Sequence, residues 1–193
     1  MSKESILTQI RKNKPALVEL PFIPEFDIAE GDLTEQFKKS LQLVGGQAIE
    51  INEGDIAQKI KEIFGELNLT ACNDKTLMIS NIDTYIIEDS RELRDVDLAV
   101  LRCRFGVAEN GAVWLLDSDL SHRVLPFIAQ HCVLIIPKTG MVWNMHEAYQ
   151  LIKKDNYKGF GVFISGPSKT ADIEQSLVIG AHGPKSLTVF LTT

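Results

Sequence analysis

The sequence contains few cysteines and no clustered thiols. Its 193 residues include three cysteines, Cys72, Cys103 and Cys132, and none of them belongs to a C-x-x-C pair. Zinc ribbons and cysteine-ligated iron–sulfur clusters need such clusters, so the chain offers no local scaffold for either. Their apolar neighbours predict that all three are small buried hydrophobes, and three unpaired thiols fit a reducing cytoplasm.

Long apolar runs and a surplus of positive charge are also missing. The longest apolar runs, such as 132–136, have five or six residues, whereas a membrane helix needs ~20. No basic-then-apolar leader opens the chain, so we expect neither a membrane span nor a secretory signal. The net charge of −6 argues against nucleic-acid binding, because that binding depends on Lys and Arg neutralising phosphates.

The common cofactor and metal motifs are absent as well. Neither the G-x-G-x-x-G fingerprint of dinucleotide sites nor the spacing of a phosphate-binding P-loop occurs. His122, His131 and His146 lack the H-x-x-x-H or H-E-x-x-H company of zinc enzymes. We therefore predict no intrinsic cofactor and no metal site. Any oxidation in which the chain takes part would need a redox centre on another protein.

Helix and strand signals alternate along the chain. Apolar residues at helical spacing predict helices over 2–13, 33–44 and 56–64, and from residue 144. Brief apolar or alternating runs predict strands over 47–51, 76–80, 85–88, 98–104, 111–116, 132–136, 161–164 and 187–191. This order favours an α/β fold with a central sheet covered on both faces.

Two of these strands are expected at the centre of the fold. Residues 161–164 and 187–191 are predominantly apolar runs, which are typical of strands covered on both faces, so we predict both in the central sheet. The first residues carry helical signals without a specific motif. We divide the chain into a helical N-terminal extension, 1–45, and a main domain, 46–193.

The most unusual segment follows the predicted strand 161–164. Open α/β sheets bind ligands beyond the carboxyl ends of their strands, and Ser-Gly-Pro-Ser-Lys-Thr-Ala-Asp-Ile-Glu comes directly after this one. A helix beginning near Thr170 would favour an anion at its free N–H groups, with Asp172 and Glu174 as general acid or base. The alternative is a turn and a capped helix whose carboxylates only complement the helix dipole. The candidate ligand-binding residues are Ser165, Gly166, Ser168, Lys169, Thr170 and Glu174.

A second candidate segment, Gly-Ala-His-Gly-Pro-Lys over residues 180–185, precedes the last predicted strand. His182 would donate or accept a proton near neutral pH, and Gly180, Gly183 and Lys185 would contact a ligand. The alternative is a plain turn with an exposed histidine.

The third candidate is Glu109, in a turn between two strand-like runs. A carboxylate at the mouth of a pocket is a candidate nucleophile or base, whereas one at a hairpin tip is ordinarily solvent-exposed.

These segments together resemble the LUD domain family, the family of lactate utilization protein C. The strongest similarity covers 163–191, with Ile-Ser-Gly-Pro-Ser-Lys-Thr-Ala-Asp-Ile-Glu and Gly-Ala-His-Gly-Pro-Lys. Gly-Val-Ala-Glu-Asn-Gly-Ala, over 106–112, resembles the central family pattern, with Ala112 where Thr is typical. The resemblance covers roughly residues 85–193. It implies a fold similar to the sugar-phosphate isomerase and CoA-transferase superfamily, a three-layer α/β/α sandwich with a mainly parallel sheet.

The resemblance also implies a role in oxidising L-lactate to pyruvate beside iron–sulfur proteins. This chain looks like the member without clusters, which would bind a small carboxylate or assist the complex. Catalytic roles then fall to Glu109, Asp172 and His182, which we expect in one pocket with the loop 165–174.

Two other functions stay open. The Glu109 turn resembles the Ser-Glu-Asn-Gly turn of class I CoA-transferases, whose glutamate is acylated by a CoA thioester, and the chain could equally be a binding or scaffold subunit without catalysis. Both a monomer and a homo-oligomer are compatible with the sequence.

Overall fold

The computed structural model describes residues 2–19, 21–22, 24, 31–156, 159–173 and 176–193. Its helices and strands alternate, and a mainly parallel sheet lies at the centre, so the predicted α/β fold is confirmed. A helix occupies the N-terminus, also as predicted. The α-helices are α1 (Lys3–Lys12), α2 (Leu33–Leu43), α3 (Ile56–Phe64), α4 (Leu125–Ile128) and α5 (Met145–Asp155). None of the helices in the described ranges is long and apolar enough to cross a membrane.

Five parallel strands form the central sheet. Its middle strand reads His-Cys-Val-Leu-Ile-Ile-Pro, and the five residues between its first and last are all buried. A strand covered on both faces has no solvent side, which explains the uninterrupted apolar run. In spatial order the strands are β1 (Gln47–Ile51), β11 (Ser186–Thr192), β6 (His131–Pro137), β3 (Leu98–Arg102) and β2 (Thr70–Cys72).

The two faces of this sheet are covered differently. On one face, α3 packs Ile56 and Ile60 against inward residues of β3, β6 and β11. On the other face, α2 inserts Phe37 and Leu41, which are both fully buried. Each of these side chains contributes roughly 1.5–3 kcal/mol by leaving water, so α2 is held firmly against the sheet.

A second, four-stranded sheet covers the rest of that face. It consists, in spatial order, of β7 (Met141–Val142), β4 (Phe105–Val107), β5 (Ala112–Leu116) and β8 (Gly161–Ile164). The prediction that 161–164 lies buried in the central sheet is therefore wrong. β8 is an edge strand antiparallel to β5, and all four of its residues are half-buried.

The predicted helix near Thr170 is also wrong. Residues from Lys169 onward form an antiparallel hairpin of β9 (Lys169–Ile173) and β10 (Ser176–Ile179). Thr170 pairs with Val178 in this hairpin, and β-branched residues of this kind pack well on a pleated surface.

Two further predicted strands, 76–80 and 85–88, do not form. A 3₁₀ turn occupies Lys75–Leu77, and the chain then runs irregularly to the 3₁₀ helix Ser90–Asp95. Asp74 caps the first turn by accepting a hydrogen bond from the Thr76 amide at 2.9 Å, a local arrangement that competes with strand formation.

Candidate functional site

Because the five central strands are parallel, the sheet has one carboxyl edge and one amino edge. Open α/β sheets bind ligands in crevices beyond the carboxyl edge. Here a cleft of about 810 Å³ opens at that edge. We call it the carboxyl-edge cleft, and its polar wall consists of Glu53, Asn73, Asp74, Lys75, Arg102, Arg104 and Asp119.

Arg102 stands at the end of β3 between carboxylates from two other strand ends. Its Nη1 and Nη2 donate to Glu53 at 3.0 and 2.6 Å, and its Nε donates to Asp74. The hydrogen bonds from Arg102 lower the pKa of Glu53. Burial acts to raise the pKa of Asp74, but hydrogen bonds from Thr76 and Arg102 outweigh it and the pKa falls below its ordinary value.

A second arginine, Arg104, pairs with Asp119 across the cleft. Its Nε and Nη2 donate to the two carboxylate oxygens at 2.7 and 2.6 Å. This bidentate geometry is the strong form of an ion pair. The pair leaves Nη1, which carries two donors, without a hydrogen-bond partner among the described residues.

Asn73 connects the two arginine pairs. Its Oδ1 accepts from the Arg102 amide at 2.8 Å, and its Nδ2 donates to the carbonyl oxygens of Arg102 and Asp119 at 3.2 and 3.0 Å. One side chain therefore fixes the end of β3 to the segment that carries Asp119.

Lys75 is the cation of the cleft that has no carboxylate partner among the described residues. Its ammonium lies 5.1 Å from the centre of the Tyr85 ring, within the distance at which a cation and an aromatic face attract. The cleft thus contains three acidic and three basic side chains, and Lys75 is the basic side chain that forms no ion pair among the described residues.

The sequence-predicted residues that the structure describes lie around the opposite, amino edge of the central sheet. The Ser165 hydroxyl donates to the Asn110 carbonyl at 2.7 Å, and the Lys169 ammonium donates to the Val44 carbonyl at the end of α2. The backbone amide of Lys185 donates to the backbone carbonyl of Gln130 at 2.7 Å. These two residues directly precede β11 and β6, respectively. The loop that begins at Ser165 follows β8, a strand of the second sheet. The rule that ligands bind beyond the carboxyl ends of the central parallel strands therefore did not apply to it.

Two of the predicted segments do meet. The Ser168 amide donates to the Pro184 carbonyl at 2.9 Å, and the Gly180 amide donates to the Ser168 carbonyl at 3.0 Å. At Gly183, a Cβ would stand 2.9 Å from the Ser168 Cβ, so the backbone can come this near only without a side chain. The segments 165–170 and 180–185 therefore pack as one unit.

Neither the Glu109 carboxylate nor the His182 side chain forms a hydrogen bond with the segments 165–170 and 180–185 among the residues described. The Glu109 carboxylate accepts from the Met145 amide at 3.0 Å at the start of α5, and His182 is exposed. The side chain of Asp172 and all of Glu174 lie outside the described residues. The shared pocket and the roles assigned to these residues stay predictions.

Sequence reasoning missed the residues of the carboxyl-edge cleft. Polar residues directly after two apolar strands were the available signal, with Asn73-Asp74 after β2 and Arg102 at the end of β3. The prediction of a single strand over 98–104 hid it, because the strand ends at Arg102 and Arg104 already leads into β4. No group of three or more His, Cys, Asp or Glu side chains suited to a metal ion occurs in the described part of the chain.

Known proteins resemble this chain over most of its length. Lactate utilization protein C of Anoxybacillus flavithermus is 25% identical over 182 residues, which cover 86% of this chain and 82% of the relative. Lactate utilization protein C 1 of Bacillus mycoides is 24% identical over 218 residues, which cover 95% and 93% of the two chains.

A solved structure and a family model agree with these relatives. The crystal structure of a DUF162 family protein from Deinococcus radiodurans superposes with a TM-score of 0.67 over 83% of this chain and 96% of that one. At 15% sequence identity, this likeness shows the fold alone. The family model described as the LUD domain matches residues 78–192, which is more than half of the sequence. The chain belongs to the LUD domain family.

Proposed function

We propose that this protein takes part in lactate utilization as a subunit that binds a small carboxylate and holds no redox centre of its own. The role in lactate utilization is supported by the relatives named lactate utilization protein C, which align over 86% and 95% of the chain. The observation that carries the carboxylate is Lys75, whose ammonium faces the carboxyl-edge cleft without an acidic partner among the described residues.

The cleft offers complementary groups for a 2-hydroxy or 2-oxo acid. Lys75 would attract the carboxylate of the ligand. The two Nη1 donors of Arg104, which have no partner among the described residues, would bind one of its oxygens. The Asp119 carboxylate beside Arg104 would accept a hydrogen bond from a ligand hydroxyl. Hydrogen bonds to charged groups contribute about 1.5–3 kcal/mol each, enough for millimolar to micromolar binding by a few contacts.

Oxidation itself would occur with partner proteins. Conversion of L-lactate to pyruvate removes two electrons and two protons, and ordinary side chains do not accept electrons. Iron–sulfur proteins of the lactate utilization system would take the electrons, while this chain holds the acid or supports the assembly of the complex.

Binding is tested by titration calorimetry on the purified chain. We expect saturable binding of L-lactate or pyruvate, and weaker binding of propionate, which lacks the oxygen at carbon 2. Lys75→Gln should weaken binding at least tenfold. Lys59→Gln, which removes a lysine paired with Glu62 on α3, should not. Absence of saturable binding, or equal losses in both variants, would refute the carboxylate site.

The role in the cell is tested separately. Deleting the gene should abolish growth of the host on L-lactate, and the wild-type gene should restore it better than the Lys75→Gln gene. The absorbance spectrum and metal content of the purified protein should show neither flavin nor iron, and the protein alone should not reduce a dye with lactate. Normal growth of the deletion strain would contradict the proposed process.

Glu109 supports a second candidate, CoA transfer. The residue is exposed and its carboxylate lies at the N-terminus of α5, where a negative charge is favoured. In such a reaction, the carboxylate attacks the thioester carbonyl, forms an acyl anhydride and releases the CoA thiolate. Mass spectrometry after incubation with acetyl-CoA, with Glu109→Gln as control, detects or excludes that acyl adduct.

A further inference from the structure

A second hollow adjoins the carboxyl-edge cleft. It measures about 400 Å³ and shares Asp74, Lys75 and Tyr85 with the cleft. Its own wall adds the apolar side chains of Met78 and Ile82 and the carboxylate of Asp83, which accepts a hydrogen bond from the Tyr85 amide at 3.1 Å. We call it the Met78 hollow. A charged compartment and a partly apolar one therefore meet at Lys75.

The backbone at Met78 adopts an unusual conformation. Its φ and ψ are +48° and 35°, in the left-handed region, which residues other than glycine seldom occupy because the side chain crowds the backbone. Strained residues of this kind cluster at ligand clamps and active sites. The conformation is maintained at the end of the 3₁₀ turn Lys75–Leu77, where the Met78 amide donates to the Lys75 carbonyl.

The same loop exposes large apolar side chains to solvent. Met78 is 89% exposed, Tyr85 55% and Ile86 78%. Adjacent exposed apolar side chains mark binding surfaces more often than single ones do. Because Met78 and Tyr85 both line the hollow, a ligand there would cover apolar surface that the folded chain leaves in water.

The two compartments together have room for a ligand larger than a three-carbon acid. Cavities of about 300–1,000 Å³ accommodate drug-sized molecules, and both compartments fall in this range. An aromatic ring suits the wall better than an alkyl chain does, because methionine sulfur and tyrosine rings both make favourable contacts with aromatic rings.

We infer that the Met78 hollow and the carboxyl-edge cleft together bind an anion that carries an aromatic ring system. The ring packs between Met78 and Tyr85, and the anionic group pairs with Lys75. This inference deepens the proposed function and rests on it only for the role of Lys75.

The probe for this site is 8-anilinonaphthalene-1-sulfonate, an aromatic anion whose fluorescence rises when it leaves water. We expect one saturable site per chain, with a dissociation constant raised at least tenfold by Tyr85→Ala, by Met78→Ala and by Lys75→Gln. Matched controls are Tyr149→Ala and Leu43→Ala, which remove exposed side chains outside the hollow, and Lys59→Gln. The controls should change the constant less than twofold.

Competition then identifies the ligand chemistry. Displacement of the probe by flavin mononucleotide or adenosine monophosphate, both aromatic anions, supports the inference. Displacement by octanoate but by neither nucleotide would overturn the aromatic part. Equal effects of Tyr85→Ala and Tyr149→Ala, or binding that does not saturate, would overturn the site.

The two proposals fail separately. Tyr85→Ala should leave L-lactate binding within twofold of wild type, because the small acid needs only the cleft. Lactate binding without probe binding would retain the proposed function and refute this inference. Probe binding that depends on Tyr85 and Met78, without lactate binding, would retain this inference and refute the proposed function.

Discussion

The Ser165 hydroxyl donates a 2.7 Å hydrogen bond to the Asn110 carbonyl oxygen and so ties the end of β8 to the β4–β5 turn. A hydrogen bond of this type contributes about 1 kcal/mol to the free energy of unfolding. Ser165→Ala should therefore lower that free energy by about 1 kcal/mol, measured by urea denaturation. Thr139→Ala, at an exposed turn, should change it by less than about 0.5 kcal/mol. Equal stabilities of wild type and Ser165→Ala would show that the bond contributes nothing.

Gly111 completes the contact between that turn and α2. Its φ is +65°, and a Cβ built on it would stand 2.6 Å from the Leu41 backbone nitrogen. Backbone atoms of a buried helix cannot move aside cheaply, and the left-handed conformation adds its own cost. We expect Gly111→Ala to lower the free energy of unfolding by about 3 kcal/mol or more.

The control for this substitution is Gly54→Ala. A Cβ at Gly54 meets nothing within 4 Å, so the variant should be as stable as wild type or slightly more so, because alanine restricts the unfolded chain. Equal losses of stability in both variants would show that the contact with Leu41 does not set the cost.

Local chemistry explains which parts of the fold were predictable from the sequence. Asp32 begins α2 by accepting from the Thr34 amide at 2.8 Å, and Asn144 begins α5 by accepting from the Glu147 amide at 3.0 Å. These caps, together with the apolar run of β6, are signals carried by neighbouring residues. Helices α1, α2, α3 and α5 and the central strand were therefore found, whereas the short α4 was not predicted.

Long-range pairing explains what was missed. An apolar run such as 161–164 predicts a strand but does not say which sheet it joins, and this one pairs with β5 rather than with the central strands. Predicting the carboxyl-edge cleft likewise requires knowing which strands are adjacent. Asn73, Arg102 and Asp119 meet only because β2 and β3 are adjacent and the chain returns to them after β5.

Asn73 should be important for both stability and binding. Its side chain makes three hydrogen bonds, to the amide and carbonyl groups of Arg102 and to the Asp119 carbonyl. Asn73→Ala leaves these groups without that partner, so the free energy of unfolding should fall by about 2–3 kcal/mol. The Arg104–Asp119 pair should also shift, and L-lactate binding should weaken.

Calorimetry and urea denaturation on the same preparation check both effects. Asn68→Ala is the control, because its exposed side chain forms no hydrogen bond with other described residues. If Asn73→Ala binds L-lactate as wild type does, the network does not position the arginine for the ligand.

The thiols should be unreactive in the folded protein, as their predicted burial implies. Cys72 and Cys132 are buried and Cys103 is half-buried. Burial raises the pKa of Cys72 to about 11 and that of Cys132 to about 12, and it raises the pKa of Cys103 well above its ordinary value. The thiolate is the reactive form, so iodoacetamide at pH 7.5 should label the native chain slowly and the chain in urea quickly.

A matched control for labelling is Ser118→Cys, which introduces a thiol at an exposed position. Mass spectrometry should find one rapid addition in this variant and none in wild type over the same period. Rapid labelling of wild type would contradict the packing of the cysteines.

The pH dependence of stability should depend on Glu50. This residue of β1 receives hydrogen bonds of 2.5 Å from Lys138 and from Lys38, and these bonds lower its pKa from 4.5 to about 2. A carboxylate whose pKa is lower in the folded state stabilises the fold fully above its unfolded pKa, and this contribution disappears as the pH falls through the folded value. Wild type should therefore have a larger free energy of unfolding than Glu50→Gln. This difference should be constant at pH values above the ordinary glutamate pKa of 4.5 and should vanish as the pH approaches 2.

Urea denaturation at stepped pH measures this difference, with Glu66→Gln as the control because Glu66 is exposed and has no ion pair among the described residues. An advantage that persists unchanged at pH ~2.5, or one that is equally large for Glu66→Gln, would show that the two lysines do not stabilise the ionised Glu50.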